Sequence, residues 1–133
     1  LNALTPPSMN FQIITNVQDV KMEKGALIDY KVSPFPLVRF KWRTLITDVI
    51  PLQKFADEQL KGPYSFWRHE HIFEDHGDYV IMKDQLEYGL PLGLLGQMVN
   101  AVVVSRRIDD IFSYRRKIVD MMFNQKVSDG NKK

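Results

Sequence analysis

Trp67, His69, His71 and Phe73 recur at every second position. On an extended strand they share one face, and Phe66, Arg68, Glu70 and Ile72 share the other. Two imidazoles spaced this way lie about 6–7 Å apart along the strand, close enough to act on one molecule. Such a pair can move a proton near neutral pH, ligate a metal, or orient a bound molecule through hydrogen bonds. Large aromatics on either side argue that this face points inward. Alternation in a later run places Asp84 on an apolar face with Met82, Leu86 and Tyr88. Asp57 and Gln59 share a face with Phe55, and Thr44 shares one with Trp42. Polar groups from several strands therefore converge on an otherwise apolar wall.

Each chemistry makes its own demands. Acid–base catalysis needs an imidazole steadied by a carboxylate, which makes His69, His71 and Asp84 the catalytic candidates. No nucleophile supports a covalent mechanism: cysteine is absent, and Ser65 and Ser105 sit in no recognisable motif. A metal would need His69 and His71 plus Asp84 or Asp57. Nothing in the sequence fixes that ligand count, so neither a metal nor another cofactor is expected. Ligand binding asks least, because a few placed polar groups suffice to orient a molecule in an apolar cleft. The competing structural reading is a hydrogen-bond network that satisfies itself across the strands.

The elements that must hold these residues can be read in order. Phe11 to Asp19 alternates as a first strand, Glu23-Lys24-Gly25 turns, and Ala26 to Val32 forms a second. Ser33-Pro34-Phe35-Pro36 should break the chain, because proline cannot serve a central ladder. Val38 to Val49 follows, with Phe40, Trp42, Thr44 and Ile46 inward and Arg39, Lys41 and Arg43 solvated. Strands near Lys54 to Lys61, Trp67 to Phe73 and Tyr79 to Tyr88 complete a meander, with a glycine turn at Asp75-His76-Gly77-Asp78.

The period then changes. After Pro91 to Gly96, apolar residues recur at Met98, Ala101, Val104 or Ser105, Ile108, Ile111 or Phe112, Ile118 or Val119, and Met122. This is helical spacing from about Gln97 to Phe123. Arg115 falls on the same stripe, as a pocket cation or as a side chain that snorkels its head into water. Met98, Met121 and Met122 read as gap-filling core. The fold class is α+β: a curved antiparallel sheet of six strands wrapped around one long C-terminal helix, with a cavity between them.

Totals narrow the function further. The 133 residues suit one domain, taken as residues 1–126, ahead of a disordered polar tail over 127–133. A net charge of +2, with basic residues dispersed among acidic ones, gives no case for nucleic acid. No apolar stretch reaches the roughly 20 residues that span a bilayer, so no stable membrane insertion is expected. The lack of cysteine fits a reducing, cytoplasmic setting. Leu1 is not a start methionine, and Leu1 to Pro7 reads like a helix end meeting a proline turn, which suggests residues upstream.

Taken together, several segments resemble the SRPBCC proteins, the START-related helix-grip superfamily, on its polyketide cyclase/dehydrase-like branch. They are Gly62-Pro63-Tyr64, Trp67-x-His69-x-His71-x-Phe73, Asp84-x-x-Glu87-Tyr88, Pro91-Leu92-Gly93 and Ile111-Phe112-x-Tyr114-Arg115. Leu4-Thr5-Pro6-Pro7 and Phe55-x-Asp57-x-Gln59 fit the same pattern, so the likeness runs from Leu4 to Phe123. It implies a seven-stranded sheet gripping the helix around a hydrophobic pocket, with a strand and short helix ahead of Leu1. Without that strand a sheet edge is open, and a homodimer could complete it. The function expected is binding of a hydrophobic small molecule, lipid-like or polycyclic. Trp42, Trp67, Phe73, Met82 and Tyr88 would line the pocket. Thr44, Asp57, Gln59, His69, His71, Asp84 and Arg115 would supply its polar contacts. The alternative is a polyketide-type cyclase or dehydratase using a His/Asp pair in the same cavity.

Overall fold

A computed structural model describes residues 2–16, 18–35, 37–90 and 94–124. Two 3-10 turns, Asn2–Leu4 and Pro7–Met9, precede the strands β1 (Gln12–Ile13), β2 (Leu27–Phe35), β3 (Val38–Ile50), β4 (Lys54–Lys61), β5 (Phe66–Asp75) and β6 (Val80–Gly89). The helix α1 (Leu94–Phe123) closes the described chain. All six strands form one antiparallel sheet in chain order; the connection from β1 to β2 is long, running over residues 14–26, and the others are short. The class is α+β: a curved antiparallel sheet with one C-terminal helix. Among the described residues no helix is long and apolar enough to cross a membrane.

Period-two patterning decides which face is covered. On β3, Trp42, Thr44 and Ile46 are buried, while Lys41 and Arg43 are exposed. The outer face is laced by ion pairs such as Arg43 to Asp29 at 2.7 Å and Arg68 to Glu58 at 3.0 Å. Bulges interrupt the β2–β3 register between Val32 and Phe35 and the β3–β4 register between Ile46 and Asp48. An extra residue on one strand bends it and increases its twist, so these bulges add bend and twist to the sheet.

On the inner face, Met9, Val32 and Trp42 form a buried cluster against which Tyr30, Tyr64, Trp67 and Ile111 pack. The α1 stripe is buried at Val104 and Ile108 and half-buried at Ile111, Phe112, Arg115 and Ile118. Its outer turns differ from the expectation: Ala101 and Met122 are exposed. Met98 lies among helix residues whose side chains are not described.

Three other expectations change. The first strand is far shorter than Phe11 to Asp19, because the chain turns at Asn16, whose carbonyl accepts from Asp19 N at 3.0 Å. The second strand does not stop at Val32; it runs through Pro34 to Phe35. β1 reaches only Lys31, so the missing proline N–H faces no ladder. The helix starts at Leu94, three residues before Gln97, since leucines sustain a helix and Gly96 in the first turn is tolerated. The glycine turns hold as expected: Gly25 and Gly77 take φ values of 94° and 83°, which glycine adopts without steric cost. The 127–133 tail and the Pro91-Leu92-Gly93 segment lie outside the described residues.

Candidate functional site

Hairpin registers bring the polar residues together. Asp57 on β4 lies opposite His69 on β5, and His71 lies opposite Asp84 on β6. The hydrogen bonds also run diagonally: His69 Nε2 to Asp84 Oδ1 at 3.0 Å, and His71 Nε2 to Asp57 Oδ2 at 3.2 Å. His71 Nδ1 is 2.9 Å from the same Asp84 Oδ1. Arg115 drops from α1 onto this group, with Nη2 at 3.2 Å from His71 Nδ1 and 3.6 Å from Asp84 Oδ1. Phe55 stacks on His71 at 4.1 Å between centroids, and Phe112 meets the edge of His69 at 5.4 Å. Both imidazoles are buried, at 6% and 5% exposure.

The electrostatics follow from this geometry. Burial pushes the Asp84 carboxyl up, but hydrogen bonds from His69 and His71 and the Arg115 charge more than offset it. Its pKa is held below the ordinary carboxylate value of 3.8. Burial pulls His71 down, yet hydrogen bonds to Asp57 and Asp84 outweigh both burial and Arg115, raising it above 6.5. His71 thus has two settings. Protonated, it donates from both nitrogens and bridges Asp57 and Asp84. Neutral, it donates from Nε2 to Asp57 and accepts from Arg115 at Nδ1.

This has a measurable consequence. A raised folded-state pKa means that the His71 contribution to stability is complete below 6.5 and disappears as pH climbs through the higher folded value. The Asp84 contribution is present above 3.8 and is lost as pH falls through its lower folded value. Urea unfolding is therefore expected to show greatest stability in the acidic window between these limits, with a decline on the alkaline side. His71→Gln keeps hydrogen-bonding capacity but cannot titrate, so it should flatten that alkaline decline. A decline that persists in the variant would assign it to another group.

Metal ligation is geometrically within reach. Asp57, His69 and His71 each offer a ligand atom, all within 4.8 Å of one another. The Arg115 guanidinium beside His71 opposes a divalent cation there, and the imidazoles already have carboxylate partners. The cluster reads as a hydrogen-bonded charge network.

Beside it lies a cleft of about 310 Å³ between β6 and α1, lined by Asp84, Leu86, Tyr88, Ser105, Ile108, Asp109 and Phe112. Of the residues expected at a pocket, Asp84 and Tyr88 line this cleft; Asp57, His69, His71 and Arg115 lie in the network that holds Asp84. Trp42 and Trp67 pack on each other edge to face at 5.2 Å and on Tyr64 at 5.6 and 4.7 Å, filling one end of the concave face with rings. Burial pushes the Tyr64 phenol up to about 12. Thr44 is bonded to the Tyr30 hydroxyl at 3.1 Å. Gln59 Nε2 donates to Tyr64 O at 2.8 Å and its Oε1 accepts from Tyr64 N at 3.3 Å, which ties the β4–β5 loop. Phe73 stacks with Phe55 at 6.2 Å and faces Met82 across the β5–β6 ladder.

Leu86, Ser105, Ile108, Asp109 and Phe112 were not among the expected site residues. Ile108 and Phe112 belong to the helical stripe and Leu86 to the apolar face of β6, so pairing those two patterns would have found the cleft. Asp109, four residues after Ser105, carried no apolar signal.

Fold and site together define an α+β domain with a buried His–Asp–Arg network flooring a cleft between sheet and helix. No protein-family model, curated protein or solved structure matches the chain.

Proposed function

We propose that this chain binds a hydrophobic small molecule in the cleft between β6 and α1, with Asp84 meeting its polar end. The cleft carries the reading: Leu86, Tyr88, Ile108 and Phe112 supply its apolar wall, and Asp84, Ser105 and Asp109 place polar groups beside it. Its volume of about 310 Å³ lies at the low end of the roughly 300–1,000 Å³ typical of ligand sites. That favours a compact ring system over a long acyl chain. The layout of one helix over a curved six-stranded sheet is consistent with the helix-grip resemblance, whose pocket would occupy this side of the sheet.

A cyclase or dehydratase reading draws on the His69–Asp84 hydrogen bond at 3.0 Å. A general base must reach the proton that it removes. Here both imidazoles are buried and Asp84 is the member of the network that lines the cleft. Binding is the better-supported function.

Ser105 is exposed and lines the cleft, so Ser105→Trp should fill it without disturbing the core. The uncharged fluorophore phenylnaphthylamine is expected to bind the unmodified chain and to bind Ser105→Trp about tenfold more weakly or worse, with unfolding temperature unchanged. Failure of the unmodified chain to bind, or equal binding by both, would sink the proposal.

A further inference from the structure

We infer that the cleft selects ligands whose polar end is a cationic hydrogen-bond donor, such as a protonated amine on a compact aromatic body. The inference rests on the cleft being a ligand site and names the class of ligand. Two carboxylates, Asp84 and Asp109, line the cleft, and among the described residues no basic side chain does.

The oxygens of Asp84 are divided between two tasks. His69, His71 and Arg115 all converge on Oδ1, at 3.0, 2.9 and 3.6 Å. Oδ2 has no hydrogen-bond partner among the described residues, which leaves it as the acceptor a ligand can use. The network keeps this carboxyl ionised, so Oδ2 accepts and never donates. Arg115 does not line the cleft, and its contact with Asp84 is made at Oδ1. A ligand carboxylate would meet two like charges with only the Ser105 and Tyr88 hydroxyls as donors against them.

Asp109 lines the cleft from α1, as Asp84 does from β6. It is exposed, with no ion pair among the described residues. Arg106 and Arg107 precede it on the helix, and neither lines the cleft. An ammonium between Oδ2 of Asp84 and the Asp109 carboxylate would gain charge-assisted hydrogen bonds. The Tyr88 ring from β6 and the Phe112 ring from α1 add faces that attract a cation and cover an aromatic body. Ser105 supplies a hydroxyl that accepts from a second N–H.

Three nearly isosteric probes separate the possibilities: phenylbutylamine, phenylbutanol and phenylbutyrate, titrated into the unmodified chain by calorimetry at low salt. The amine should bind about tenfold more tightly than the alcohol, and the carboxylate most weakly. Asp109→Asn should weaken the amine about threefold and leave the alcohol unchanged, and added salt should do the same. Equal affinity for amine and alcohol, or tightest binding of the carboxylate, would overturn the cation preference while the cleft remains a binding site. Failure of all three probes together with phenylnaphthylamine would remove the binding reading as well.

Discussion

Arg115→Met should destabilise the fold by about 2–4 kcal/mol at pH 8 and by distinctly less at pH 6. Arg115 is the cation that α1 lowers onto Asp84, at 3.6 Å, and both side chains are largely buried, at 15% and 18% exposure. Removing one partner of a buried pair leaves the other charge uncompensated, which costs more than the intact pair was worth. Here a second cation can be recruited. His71 already bridges Asp57 and Asp84, and Arg115 works against its protonation. Without Arg115, His71 should hold its second proton to higher pH. At pH 6 the network then replaces the missing charge, whereas at pH 8 it does so less completely. Urea unfolding of both chains at the two pH values measures this directly. Equal costs at both values would show that Arg115 and His71 are not coupled.

Trp42→Ala should cost about 3–5 kcal/mol, the range for deleting a large aromatic from a core. Trp42 is 6% exposed and sits at the centre of the ring cluster, stacked on Tyr30 and edge-on to Trp67. Trp42→Phe should cost roughly 1 kcal/mol, because one penalty disappears along with the lost contacts. The indole Nε1–H is buried with no hydrogen-bond partner among the described residues. An unpaired buried donor is unfavourable, so losing it offsets part of the lost packing. Chemical denaturation of the two variants against the unmodified chain tests the difference. A Trp42→Phe cost as large as that of Trp42→Ala would show that the indole N–H is paired after all.

The inward direction of β5 was legible because His69 and His71 sit between two aromatics at period two. Asp84 followed from the same alternation on β6, and Arg115 from its place on the helical stripe. Pairing was harder. That His71 bridges Asp57 and Asp84, while His69 takes Asp84, depends on hairpin registers set by turns and bulges, which local pattern does not specify. Gln59 shows a further limit. Its face was readable, but its partner is the backbone of Tyr64, in a loop whose path alternation cannot describe. The cleft itself was displaced from expectation by volume. The tryptophans proposed as its lining are large enough to fill their end of the concave face with each other, so free space remains beside Leu86 and Phe112. The first strand stopped early because Asn16 and Asp19 made a local turn where alternation alone suggested continuation.

The split duty of the Asp84 carboxylate bears on how this cleft could diversify over time. One oxygen serves the architecture and the other, on the binding we propose, meets the guest, so substitution at Asp84 would perturb foldability and selectivity together. Ser105 and Asp109 carry no such double obligation: both are exposed, and both sit on the opposite wall. If the cleft binds as proposed, descendants of this chain could change guests from the helical side at less cost than from the sheet side. Adaptive change in specificity should accumulate on one helix turn and leave the histidine strand untouched.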